Sequence, residues 1–117
     1  MSGTVRHDIK IQQGATFIWV VNLEDENEQA LDLTGATARM TGRKRLTDTA
    51  TLFALTSGAG NMVVDATAGS VTTTITAAVT AAYTFDYGVY DLEVIEADGT
   101  VLRVVEGVVQ LSKEVTR

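Results

Sequence analysis

The feature of this sequence that most constrains its fold is the alternation of apolar and polar residues within short segments. In "ATARMT", residues 36–41, alanine and methionine alternate with threonine and arginine. In residues 16–23, Phe17, Trp19 and Val21 share one face. A period of two residues is typical of half-buried β-strands, and it predicts about eight of them here. The candidate segments are residues 6–12, 16–23, 36–43, 51–55, 61–65, 71–75, 86–97 and 100–111.

Only one segment has the composition of a helix. "TAAVTAAY", residues 76–83, is rich in alanine, and Thr76 is suited to be its N-cap. The chain has no proline, so its turns are built from Gly, Asn, Asp and Ser. Short strands with one short helix predict an all-β fold, either a two-layer antiparallel β-sandwich or a small barrel. Residues 1–117 have the length of a single domain, and 45% hydrophobic residues suffice for a core.

Composition argues against several classes of protein. The chain contains no cysteine, so it has neither disulfides nor thiolate metal ligands. A net charge of −6 argues against a general nucleic-acid binder, whose binding face is basic. No apolar run has the length of a signal peptide or of a membrane span. We therefore expect no nucleic-acid and no membrane partner.

Residues suited to catalysis or metal binding are sparse. His7 is the only histidine, and none of the serines lies in a G-x-S-x-G motif. The acidic stretch "EDENEQALD" lacks the spacing and central glycine of an EF-hand loop. Asp91 and Glu93 share one strand face, where an acid/base pair and a merely solvated pair both fit. The sequence thus predicts no enzyme, no catalytic residues, no cofactor and no metal.

Five aromatic residues allow either packing or ligand binding. Trp19 and Tyr90 lie in phase with apolar neighbours, which favours the core. Tyr83, Phe85 and Tyr87 cluster between the predicted helix and the next strand. There they could close one end of a sandwich, or form an aromatic platform for a glycan.

Charges are segregated along the first half of the chain. Residues 24–32 carry five carboxylates and no base, whereas Arg39, Arg43, Lys44 and Arg45 follow without an acid. If strands 16–23 and 36–43 run antiparallel, the acidic turn and the basic run lie at opposite ends. Such polarity would orient a docking partner. The alternative is that both loops are simply solvated.

The last predicted strand is apolar on both faces. Val101, Val105, Val109 and Leu111 share one face, and Leu102, Val104 and Val108 share the other. Ile18 and Val20 are similarly out of phase with their strand's core face. A second apolar face requires a cover: the short helix 76–83 could cover part of it and a neighbouring subunit the rest, and we favour subunit contact. The candidate interaction residues are therefore Arg43, Lys44, Arg45, Val104 and Val108.

Two stretches carry a resemblance to a known family. In residues 9–44 a strand ends in a Q-G step, an aromatic-rich strand follows, and an acidic turn leads to L-D-L-T-G-A-T and an alternating strand with arginines. In residues 68–117 come a strand, an alanine-rich helix, a G-x-Y-x-x-L strand, a D-G-T turn and a last strand with an E-G step. This order resembles small structural proteins of tailed bacteriophages, including the N-terminal module of baseplate upper proteins and related neck or tail components.

The resemblance implies an immunoglobulin-like β-sandwich that builds the virion by protein–protein contacts. Its expected partners are other virion proteins and copies of itself, and it would be made in the host bacterial cytoplasm. Baseplate modules are followed by further domains, whereas this sequence ends at Arg117, which favours a free-standing head, neck or tail component. Two alternatives stay open at this point: a carbohydrate- or host-receptor-binding module, and a small hydrolase.

Overall fold

A computed structural model describes residues 4–117, and it consists of nine strands and one short helix. In chain order the elements are β1 (Val5–Arg6), β2 (Ile9–Gln12), β3 (Phe17–Asn22), β4 (Thr37–Arg43), β5 (Phe53–Thr56), β6 (Met62–Asp65), β7 (Ser70–Ile75), α1 (Ala77–Ala81), β8 (Tyr87–Ile95) and β9 (Val101–Ser112). The strands lie where the alternation predicts them, within a few residues at each end.

Two sheets pack face to face as an immunoglobulin-like sandwich. The larger sheet has the order β1-β9-β8-β4-β5, with β2 also paired to β9, and the smaller sheet has the order β3-β7-β6. Named as in immunoglobulin domains, these are G-F-C-C′ opposite B-E-D, with the first two strands beside G. The prediction of an all-β, two-layer sandwich with one short helix is confirmed.

The pairing of the N-terminal strands differs from the antiparallel expectation. Both β1 and β2 run parallel to β9, with Val5 opposite Val105 and Ile11 opposite Leu111. The larger sheet is therefore mixed. Because the first strands lie wholly beside β9, they leave the outer edge of β3 without a neighbouring strand in the described part of the chain.

One hydrophobic core fills the space between the sheets. The side chains of Ile11, Leu23, Met40, Leu92 and Val109 are almost fully buried. The predicted core stripe of β3 is less deeply buried than expected, because Phe17, Trp19 and Val21 are only partly covered. The reason is that β3 is an edge strand, so within residues 4–117 no strand pairs with it on one side.

A β-bulge in β9 overturns the prediction that Val104 faces outward. Leu92 pairs with Val105 and Glu93 pairs with Arg103, which leaves Val104 as an extra residue in β9. A bulge shifts the alternation by one residue, so side chains on either side of it turn to the same face. Val104 is 0% exposed and Val105 is 5% exposed. The strand does not have a second apolar face at this position, and Val104 is not an interaction residue.

Helix α1 forms as predicted but covers a different part of the molecule. The Thr76 side chain accepts a hydrogen bond from the Val79 N–H, which confirms the N-cap. The buried Thr80 hydroxyl donates to the carbonyl of Ala15 and accepts from the N–H of Gly14. These bonds tie the helix to the turn between β2 and β3. The helix therefore closes one end of the sandwich and leaves Ile18 and Val20 uncovered.

Candidate interaction surfaces

A shallow groove of about 540 Å³ lies on the outer face of the larger sheet. Its floor includes Val89 and Val108, which pair directly across β8 and β9. On the other side of β8, Val89 pairs with Arg43 of β4. Arg43, Val89 and Val108 therefore form one row across β4, β8 and β9. Val108 is partly exposed, in contrast to Val104. The groove is the surface to which Arg43 and Val108 both contribute.

Charged side chains of alternating sign line the rest of the groove. The Arg39 Nε lies 2.8 Å from Glu93 Oε1, and the Arg103 Nε lies 3.5 Å from Asp91 Oδ2. Exposed ion pairs of this kind contribute roughly 0–1 kcal/mol each to stability. The pairs therefore shape the charge pattern of this face more than they hold the fold together. The lining charged residues are Arg6, Arg39, Arg43, Asp91, Glu93, Arg103 and Glu106.

Asp91 and Glu93 lie on one strand face, as the alternation predicts. Partial burial raises the pKa of the Asp91 carboxyl, and the nearby Glu93 and Glu106 carboxylates raise it further, while Arg103 opposes the shift. Each carboxylate already has an arginine partner. Partial burial, together with the crowding of like charges beside arginines, accounts for the raised pKa of Asp91 without a reacting group.

The three basic residues of the β4–β5 loop have different environments. The Arg43 guanidinium donates to the carbonyl oxygens of Asp48 at 3.2 Å and Thr49 at 2.6 Å, so it fastens its own loop. Lys44 and Arg45 are exposed. Leu46, beside them, is 84% exposed. The structure brings Arg43 and Val108 to one groove and leaves Lys44 and Arg45 on the adjoining loop.

The aromatic residues divide between packing and exposure. Tyr83 and Phe85 pack against Phe53, with ring centroids 6.2 and 6.4 Å from it. Tyr90 is buried, and Trp19 packs on the core while its outer side stacks with His7 at 5.6 Å. Tyr87 is 59% exposed and stands apart from the cluster. These contacts favour the packing interpretation, because the rings do not form a continuous open platform.

The outer face of the smaller sheet exposes several large apolar side chains. Ile18, Val20 and Val63 are 65%, 51% and 62% exposed. Thr72 on the central strand pairs with Val20 on one side and with Val63 on the other. The side chains thus form one row of apolar and threonine residues across the sheet. We call Ile18, Val20, Val63, Thr72 and Thr74 the apolar face.

The outer edge of β3 has free main-chain hydrogen-bonding groups. The Leu23 N–H donates to Gly69 at the end of the β3–β7 ladder, which assigns the odd-numbered residues of β3 to bonds with β7. In an antiparallel pair alternate residues direct these groups away from the partner. The N–H and C=O groups of Ile18, Val20 and Asn22 therefore point to the open edge.

Charge is separated between the two ends of the sandwich. The acidic end consists of the turns 23–36, 65–70 and 96–100, which pairing places together, and these contain eight carboxylates and no lysine or arginine. The basic end consists of residues 43–52, 76–86 and 113–117, with five basic residues and three carboxylates. The placement of the acidic turn and the basic run at opposite ends agrees with the prediction. The sequence did not predict that the other acidic turns lie at the same end, although their Asp and Glu residues can be read from it.

The exposure of Val63 and the open edge of β3 were not predicted from the sequence either. Because Val63 and Val64 are adjacent in a strand, one of the two side chains must face outward. Which surface the outward valine belongs to depends on how the strands pair.

Within residues 4–117, no group of three or more His, Asp or Glu side chains is placed to hold a metal ion. In the same region, no helix combines the length and apolarity needed to cross a membrane.

Comparison with known proteins does not identify a family for this chain. No family model and no curated protein matches the sequence. Among solved structures, extracellular domains 3–5 of Drosophila OTK align with 92% of this chain at 14% identity and a TM-score of 0.35. The chain spans about a third of the length of that structure, 33%. The fold assignment therefore rests on the strand order and packing described above.

Proposed function

We propose that this protein is a non-catalytic structural subunit of the virion of a tailed bacteriophage, joined to other virion proteins and to copies of itself by protein–protein contacts. The observation that carries the proposal is the uncovered apolar face, where Ile18, Val20 and Val63 are each more than half exposed. The outer faces of antiparallel sheets that meet water are normally polar. A contiguous apolar patch on such a face is typical of a protein contact.

The sequence resemblance to phage structural modules supports the same proposal. The motifs that carry it have structural roles in this chain. In the Q-G step, the Gln13 side chain donates to the Tyr83 carbonyl at 2.8 Å and accepts from the Glu114 N–H at 2.9 Å. In the L-D-L-T-G-A-T stretch, Asp32 accepts bonds from the N–H and hydroxyl of Thr34. These contacts fix turns and ends, as expected of motifs that specify a building block.

Orientation in the assembly would come from the charge separation. An acidic end and a basic end attract each other when neighbouring subunits meet end to end or side by side in opposite directions. Such complementarity selects the orientation and the partner more than it adds affinity. The partners would be proteins of the head, neck, tail or baseplate.

A carbohydrate- or host-receptor-binding role has less support. Tyr83 and Phe85 pack against Phe53, and only Tyr87 of the predicted cluster is largely exposed. A single exposed tyrosine is a small platform for a glycan compared with the apolar face. We therefore keep assembly as the proposed function.

The test is quantitative mass spectrometry of purified particles from a phage that encodes this chain. We expect the chain to be present in multiple copies per particle and to remain bound through a density gradient. Particles made with the gene deleted should lack a component or fail to mature. Intact, infectious particles without the protein would contradict the proposal, as would specific binding to a glycan array by the free chain.

A further inference from the structure

We infer that β3 is a self-association edge, at which two copies of this chain pair β3 with β3 antiparallel about a twofold axis. The two smaller sheets then join into one continuous sheet with the order β6-β7-β3-β3-β7-β6. The inference rests on the proposed function in that it names a second copy of the chain as one assembly partner. It makes a separate claim about the isolated protein in solution.

The outer edge of β3 lacks the protection that the edges of monomeric sheets normally have. Edge strands are usually guarded by lysines, prolines, bulges or a covering loop. Residues 15–22, "ATFIWVVN", contain no charged residue and no proline, and β3 pairs with β7 without a bulge. Among residues 4–117, no side chain hydrogen-bonds to the main chain of Ile18, Val20 or Asn22. The outward N–H and C=O groups are therefore available to another strand.

Strand β3 is also complementary to itself in one register. A strand added antiparallel must place outward-directed residues opposite one another, so even-numbered residues pair with even-numbered ones. With Trp19 on the axis, Ile18 lies opposite Val20 of the second copy, and Phe17 lies opposite Val21 of the second copy. Thr16 then meets Asn22 of the second copy. Every apolar residue faces an apolar one and the polar ends face each other.

The charge distribution of the chain favours the antiparallel direction of pairing. Antiparallel pairing places the acidic end of each copy alongside the basic end of the other and keeps the acidic turns 23–36 far apart. Parallel pairing would instead set Glu24, Asp25 and Glu26 beside their own counterparts. Like charges brought together in this way are destabilising. A second copy in the antiparallel direction is therefore the occupant that the charge distribution fits.

Pairing would also bury what the monomer leaves open. It extends the apolar face into one stripe, because Ile18 and Val20 of both copies lie on the same side of the joined sheet. It also brings new neighbours to Phe17, Trp19 and Val21, which the edge position leaves only partly covered. One pair of six-residue strands is a small interface, and interfaces below about 1,200 Å² are typical of weak complexes.

The first experiment measures the mass of the purified chain by sedimentation equilibrium, up to a concentration of about 1 mM, where even a weak complex is populated. We expect a concentration-dependent shift from the 12.5 kDa monomer toward twice that mass. Ile18→Lys should abolish the dimer. Val63→Lys is the matched control, because it has similar exposure on the same sheet face but lies on the opposite edge strand.

A second variant distinguishes the contribution of main-chain hydrogen bonds at the edge from that of the side chains. Val20→Pro removes an N–H that points to the open edge, so it spares the ladder with β7 and blocks strand addition. Circular dichroism and a thermal melt establish that each variant is folded. A wild-type chain that stays monomeric overturns the inference, as does a dimer that survives both Ile18→Lys and Val20→Pro. Loss of the dimer in Val63→Lys as well would assign the contact to the face instead of the edge.

A crosslinking experiment tests the register. The chain has no cysteine, so Ile18→Cys and Val20→Cys can be made singly and mixed under oxidising conditions. Opposed residues of a hydrogen-bonded antiparallel pair lie about 5.5 Å apart at Cα, within disulfide range. We expect a disulfide dimer in the mixture and little in either variant alone. Equal crosslinking in all three samples would overturn the register. A chain that is present in virions but monomeric in solution would refute pairing through β3 while leaving the proposed role as a virion subunit intact.

Discussion

The Tyr90 hydroxyl donates a hydrogen bond to the main-chain carbonyl of His7, and so joins β8 to the break between β1 and β2 across the intervening β9. Gly107 of β9 pairs with Tyr90 and lies beneath this contact. A Cβ atom at Gly107 would come within 2.3 Å of the His7 carbonyl oxygen. Two sequence motifs, G-x-Y and the E-G step, thus meet at one point of the structure.

Replacing Tyr90 with phenylalanine should destabilise the fold without changing it. The variant leaves the His7 carbonyl without its donor, and the loss of a buried hydrogen bond costs about 1–2 kcal/mol. Tyr87→Phe is the control, because Tyr87 is largely exposed and has no such partner. Urea denaturation followed by tryptophan fluorescence measures both. Equal free energies of unfolding for the two variants would show that the bond contributes nothing.

The same tyrosine predicts a loss of stability in alkali. Burial raises the pKa of Tyr90, and the nearby Asp8 carboxylate adds to the effect. In the unfolded chain tyrosine ionises near pH 10, as model peptides do. Above about pH 10 the unfolded state therefore holds fewer protons than the folded state, and the free energy of unfolding falls as the pH rises.

Removing the ionisable hydroxyl should reduce this pH dependence. Tyr90→Phe should be less stable than wild type at pH 8, but its free energy of unfolding should fall less steeply between about pH 9 and pH 11. A smaller slope remains, because burial also raises the pKa of Tyr83. Denaturant titrations at each pH provide the slopes. A Tyr90→Phe slope as steep as that of wild type would contradict the assignment.

Because of the bulge in β9, Val104 is buried whereas Val108 is partly exposed, so the same substitution should have different effects at the two positions. Val104→Thr places a hydroxyl in a fully buried position, where an unpaired polar group costs roughly 1–3 kcal/mol. Val108→Thr, on the groove floor, should change stability by less than about 0.5 kcal/mol, as surface substitutions usually do. Thermal melts of the two variants make the comparison. If both substitutions were equally tolerated, Val104 would have to face solvent.

Strand positions could be predicted from the sequence because alternation is local, whereas pairing is not. Residues 36–43 gave β4 with little error, and residues 76–83 gave α1 with its cap. No local signal indicated that β1 and β2 lie parallel to β9, and this choice alone leaves the edge of β3 open. The outward position of Ile18 and Val20 was predictable, but the absence of a cover was not.

The position of Val104 was mispredicted because the alternation in β9 does not keep an unbroken period of two residues. A signal for the bulge was nevertheless present in the sequence. Arg103 and Glu106 both line the groove on the outer face, yet they are three residues apart. An odd spacing between two outward residues requires one extra residue in the strand, and the doublet at 104–105 supplies it.

The three basic residues of the β4–β5 loop differ in what they contact. Arg43→Gln should destabilise the β4–β5 loop by about 1–2 kcal/mol, since a charged donor to two carbonyl oxygens is lost. The double variant Lys44→Glu with Arg45→Glu should leave stability within about 0.5 kcal/mol, because both side chains are exposed. The same double variant should lower incorporation into particles, since in the proposed assembly the basic end meets a neighbour's acidic turns. Chemical denaturation and quantification of particle-bound protein separate the two effects, and unchanged incorporation would leave the basic end a solvated loop.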